Sequence, residues 1–135
     1  MSLKPKKSQI LSEPVNRKDE LHGPWGRINS EPHSVVVLRL RKGSGWNEKT
    51  ISYPYRVLSS WLWRNNHDRE ELNIEAGPDV ITVEGHGLAR VVDALDLGAL
   101  EILREAPGGH VLPEESPIVV SSISVTKTTN SMEER

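Results

Sequence analysis

The segment "LNIEAGPDVITVEGHGLARVVDALDLG", residues 72–98, restricts the fold more than any other part of the chain. Leu72, Ile74 and Ala76 alternate with Asn73 and Glu75. A Gly-Pro-Asp turn follows, and then Ile81 and Val83 alternate with Val80, Thr82 and Glu84. Period-2 patterning on both sides of a turn predicts a hairpin with one buried face. The period then changes. Leu88, Val91, Val92 and Leu95 stand at i, i+3, i+4 and i+7, and Gly98 stands where a helix stops. A hairpin running directly into an amphipathic helix leaves each with an apolar face to cover, and packing one on the other is the economical solution.

Further strands extend this nucleus. In Ser34–Lys42, Val36, Leu38 and Leu40 alternate with Val37, Arg39 and Arg41, and a Gly-rich turn over Lys42–Glu48 leads to Lys49–Tyr55. There Ile51, Tyr53 and Tyr55 share a face, and Pro54, which cannot donate to a ladder, means that the strand lies at an edge or ends there. In Arg56–Arg64, Val57, Leu58, Trp61 and Leu62 form a stripe that predicts a short helix with Trp63 outside it, whereas a strand would align Trp61 with Trp63. Ala99–Glu105 is expected as a strand with Leu100 and Ile102 inward, and Ile118–Lys127 as a last strand. The fold class is therefore α+β: a small antiparallel sheet built from hairpins and packed on one main amphipathic helix. One domain is expected over residues 33–127, between a flexible N-terminal tail, 1–32, and a flexible C-terminal tail, 128–135. In the first tail, Trp25 of "HGPWGRI" either tucks against the domain or anchors a partner.

Composition limits the chemistry. The chain has 135 residues, a formal net charge of -2 and no cysteine. Disulfides, thiolate nucleophiles and cysteine-held zinc are excluded, and a strong general affinity for nucleic acid is disfavoured. The basic start lacks an apolar core of a secretory signal, and no run is long enough to cross a membrane as a helix. The cytoplasm is the expected location. No two of the five histidines stand at i, i+3 or i+4, and no metal or cofactor is implied.

Two candidate sites remain. "GHGLAR", Gly85–Arg90, follows a strand and opens a helix, so its free N–H groups suit a small anion at Gly85, Gly87 and Arg90. It lacks the third glycine of a dinucleotide fingerprint, with Arg90 in that place. The second is "YPYRVLSSWLWRNNHD", residues 53–68, which holds both tyrosines and two of the four tryptophans of a chain without phenylalanine. Arg39, Arg41, Arg56, Trp63 and Arg64 are expected to form an interaction surface around it, since Trp and Arg favour interfaces. The leading expectation is a non-enzymatic protein-interaction or adaptor module that binds a protein partner or forms a homodimer. The alternatives are weak nucleic-acid binding through the same basic-aromatic residues, and small-anion binding or catalysis at the Gly85–Arg90 turn.

Overall fold

The Gly77–Pro78 turn, with Gly77 in the left-handed region at φ 63°, closes the hairpin read from residues 72–83. A computed structural model describes residues 21–43, 45–106 and 117–127. The first twenty residues of the expected N-terminal tail, the 128–135 tail and His110 lie outside the described residues.

In chain order the strands are β1 (His22–Gly23), β2 (Gly26–Ile28), β3 (Val37–Lys42), β4 (Lys49–Pro54), β5 (Leu58–Asn65), β6 (Glu70–Ala76), β7 (Asp79–His86), β8 (Leu100–Arg104) and β9 (Val119–Lys127). The helix α1 (Leu88–Asp96) lies between β7 and β8. The fold is α+β with mostly antiparallel pairing, and the strands form two sheets. One is four-stranded, in the order β9-β7-β6-β5; the other is five-stranded, in the order β1-β2-β8-β3-β4. One pair is parallel: β8 returns beside β3, with Leu40 opposite Leu103 and Arg41 opposite Arg104.

The apolar periods place the core between these layers. Leu72, Ile74, Ile81 and Val83 from the four-stranded sheet meet Leu38, Leu40, Leu100 and Leu103 from the five-stranded sheet, with Leu88, Val91 and Leu95 of α1. Polar side chains tie the sheets together. The Tyr53 hydroxyl of β4 donates across to Asp79 Oδ2 of β7 at 2.7 Å, and Lys42 Nζ of β3 bonds the Ile123 carbonyl of β9. Lys127 Nζ, in the same sheet as Asp79, holds Asp79 Oδ1 at 3.0 Å. Burial, then the hydrogen bond and charge of Asp79, hold the Tyr53 phenol protonated far above its ordinary range. Burial likewise pushes Tyr55 up to about 12, against the opposing effect of its bond to the Leu100 carbonyl.

Three sequence readings are revised. The segment expected as a short helix, residues 56–64, is instead a 3-10 turn at Tyr55–Val57 followed by the strand β5 from Leu58. A nine-residue apolar stripe cannot by itself separate helix from strand; β6 decides by offering a ladder along Leu72, Ile74 and Ala76. Residues 22–28, expected in the tail, form β1 and β2, and Trp25 between them is only 2% exposed. In β8 the register shifts at β2, so Leu100 and Leu103 are buried, and Ile102, expected inward, stands on the outer face opposite Arg39.

Candidate functional site

The turn from β7 into α1 is the first expected site. Gly87 is the N-cap of α1 at φ 71° and ψ 21°, and no side chain of the cap itself bonds the helix. The acceptor comes from β6: Glu70 Oε2 accepts from Gly87 N–H at 2.9 Å, and Glu70 Oε1 from Leu88 N–H at 2.8 Å. Trp63 Nε1 donates to the same Oε1 at 2.9 Å. The anion suited to this helix start is thus a carboxylate of the chain itself. The glycines have a second cause, the approach of the chain just before and at the start of β9. A Cβ on Gly85 would lie 1.8 Å from the Val119 carbonyl oxygen, and one on Gly87 would lie 2.0 Å from that of Pro117. Arg90 lies on the exposed side of the first helical turn.

Burial raises the Glu70 carboxyl, but the Trp63 indole, the two backbone N–H donors and nearby His86 outweigh it and hold it below the usual range. A depressed folded value contributes stability above the unfolded value and loses it as pH falls through the folded one. Glu70→Gln turns one acceptor into a donor facing these N–H groups. It is expected to cost about 2 kcal/mol near neutrality and to flatten the acid limb of stability against pH. Urea melts of both proteins across the carboxylate range check this.

The second expected set is divided by the fold. Arg39 and Arg41 point outward from β3, opposite to the buried Leu38 and Leu40. Arg56 lies in the 3-10 turn, and Trp63 and Arg64 lie on β5 in the other sheet. Trp63 is 39% exposed with its indole N–H engaged, and Trp61 Nε1 donates to Asp96 Oδ1 at 2.8 Å. Both tryptophans therefore lie along α1, and Leu62, expected inward, is 54% exposed on the outer face of the sheet.

Two features were not singled out from sequence. Trp46, at the tip of the β3–β4 hairpin, is fully exposed; its signal was an indole in a Gly-rich turn that no core can reach. The other is an arginine face. Arg41 stands opposite Arg104, Arg39 opposite Ile102, and Arg27 on β2 opposite Ile102 from the other side. Four arginines on three neighbouring strands thus face outward, a proximity that only the β3–β8 pairing creates. The Nε atoms of Arg41 and Arg104 are buried without a hydrogen-bond partner, and Glu101 lies 3.5 Å from Arg27 Nε.

Among the described residues, no group of three or more His, Asp or Glu is placed to hold a metal ion. No helix among them is long and apolar enough to cross a membrane. No protein-family model matches the chain, and neither a curated protein nor a solved structure matches it significantly.

Proposed function

We propose that the protein is a non-enzymatic protein-interaction module that works by strand addition at β5, and that the added strand is β5 of a second copy. The observation that carries this reading is the open edge of β5. The other edge of the same sheet, β9, is closed by the five-stranded layer: Val120 O accepts from Ala106 N–H, Ile123 N–H donates to Glu105 Oε2, and Ile123 O accepts from Lys42 Nζ. In the five-stranded sheet, β1 has two residues, and β4 begins at Lys49 and ends at Pro54, common devices against edge pairing. β5 runs for eight residues with neither lysine nor proline, and among the described residues no hydrogen bond from outside its sheet reaches its second edge.

A second copy suits this edge because Leu62 is the centre of a symmetric Trp-Leu-Trp triplet. An antiparallel pair with Leu62 on the two-fold axis sets Trp61 opposite the partner's Trp63, and Ser60 opposite the partner's Arg64. Aromatic meets aromatic, and no like charges face each other. The result is one continuous sheet of eight strands. The cytoplasm as compartment belongs to the same proposal and rests only on the cysteine-free composition.

Light scattering at high micromolar concentration is expected to give twice the chain mass. Leu62→Lys alters an exposed side chain and leaves the core intact, so it is expected to give a monomer with an unchanged far-UV spectrum. A monodisperse wild-type monomer, or a dimer indifferent to Leu62→Lys, would overturn the reading.

A further inference from the structure

We propose that the outward face of the five-stranded sheet is a binding site for the phosphodiester backbone of single-stranded nucleic acid, with Trp46 as a stacking platform beside it. The site is built from Arg27, Arg39, Arg41 and Arg104, and its argument is independent of the β5 interface, which leaves this face uncovered.

Arg41 and Arg104 are directly opposite in the β3–β8 register. Like charges so placed on neighbouring strands are destabilising, and the buried, unpartnered Nε atoms of both add a second cost. A bound oxyanion offsets the like-charge cost, because the outward guanidinium N–H groups donate to phosphate oxygens in pairs. Two acidic side chains lie beside this cluster: Glu101 lies against Arg27, and the Glu105 carboxylate is already engaged by the Gly43 and Ile123 N–H groups. The chain's net charge conceals this face. Glu71, Glu75 and Glu84 stand on the outer face of the other sheet, alternating with the buried Leu72, Ile74 and Val83.

The layout suits a linear polyanion. Arg39 and Arg41 are successive same-face positions on one strand, about 6.7 Å apart, a step that an extended sugar-phosphate backbone can match. Ser52 and Thr50 stand opposite them on β4 with exposed hydroxyls. At the other flank, a recess of about 350 Å³ is lined by His22, Gly23, Gly26, Arg27, Ile102 and Arg104. Beyond Arg41 and Lys42 the hairpin tip carries Trp46, fully exposed. An arginine track with an aromatic at its end is the arrangement that binds single strands without reading sequence.

The test is a titration of labelled oligo(dT) with the full chain at low salt, followed by anisotropy and by tryptophan emission. Saturable binding is expected, with log K falling against log salt at a slope of about -2 to -3 for three or four phosphate contacts. The double variant Arg41→Ala/Arg104→Ala is expected to weaken binding about tenfold or more and to reduce the slope by about 1.4. Trp46→Ala should abolish most of the quenching and keep the slope. If the double variant melts early, Arg39→Ala carries the same test from an exposed position, with a slope loss of about 0.7. No binding at low salt, binding indifferent to these arginines, or tighter binding of polyglutamate at equal ionic strength would each overturn the proposal, the last in favour of an acidic polypeptide.

Discussion

Gly85→Ala should be among the most damaging single substitutions in this protein, costing about 3 kcal/mol or more. The new Cβ would lie 1.8 Å from the Val119 carbonyl oxygen and 3.1 Å from the Val120 Cα. Neither is the end of a flexible side chain. Val120 is the ladder partner of Gly85, so relief requires β9 to leave β7 at this point. That would uncover Val120 and Ile123, both 1% exposed. Gly87→Ala adds backbone strain to a similar clash, since Gly87 has φ 71° and its Cβ would meet the Pro117 oxygen at 2.0 Å. Gly77 separates the two effects: it has φ 63° with nothing within 4 Å, so Gly77→Ala should cost only about 1–2 kcal/mol. Urea denaturation of the three variants checks the order. A Gly85→Ala protein of wild-type stability would mean that β9 does not approach β7 as described. The result bears on function because the same two glycines invite a phosphate-loop reading. Strand packing and the Glu70 carboxylate account for both without any ligand.

How far the sequence carries depends on where each determinant lies. The β6–β7 hairpin and α1 are local: their apolar periods and turn glycines lie within 27 residues, and the structure follows them almost residue by residue. β5 is not local, because its conformation is chosen by β6, with Trp61 opposite Ile74 and Trp63 opposite Leu72. The cap of α1 is less local still. Glu70 precedes Gly87 by 17 positions, and the one sequence hint was negative: His86–Gly87 offers no good capping side chain, so an acceptor had to come from elsewhere. The arginine face shows the same limit. Arg39 and Arg41 were visible as an alternating pair, but Arg104 joins them only through a parallel pairing across 63 positions.

Trp25→Ala is expected to cost about 3–5 kcal/mol, the range for emptying a buried aromatic site, whereas Trp46→Ala should stay within about 0.5 kcal/mol. In sequence the two look alike, "GPWG" and "GSGWN", each an indole among glycines. They differ in what the surrounding glycines permit. Gly23 lets its backbone close on the Trp25 ring, since a Cβ there would lie 2.8 Å from the indole Nε1. The Trp25 carbonyl accepts from Arg104 N–H at 2.7 Å, which fixes the residue beside β8. It lines one small recess with Ala106, Ile118 and Val120, near the start of β9. Removing it empties the junction between the sheets, and the β1–β2 segment loses the largest side chain it places in the core, leaving Ile28 packed there. A chain begun at residue 33 should therefore suffer at least the loss of Trp25→Ala, because it lacks both the ring and the ladder of β2 on β8. Thermal and urea melts of the two variants, with acrylamide quenching of each, make the comparison: Trp25 should be the shielded emitter and Trp46 the open one. If the 33–135 chain were as stable as the whole, residues 21–28 would be an appendage; if it melts with Trp25→Ala or earlier, they are part of the folded unit that presents the arginine face.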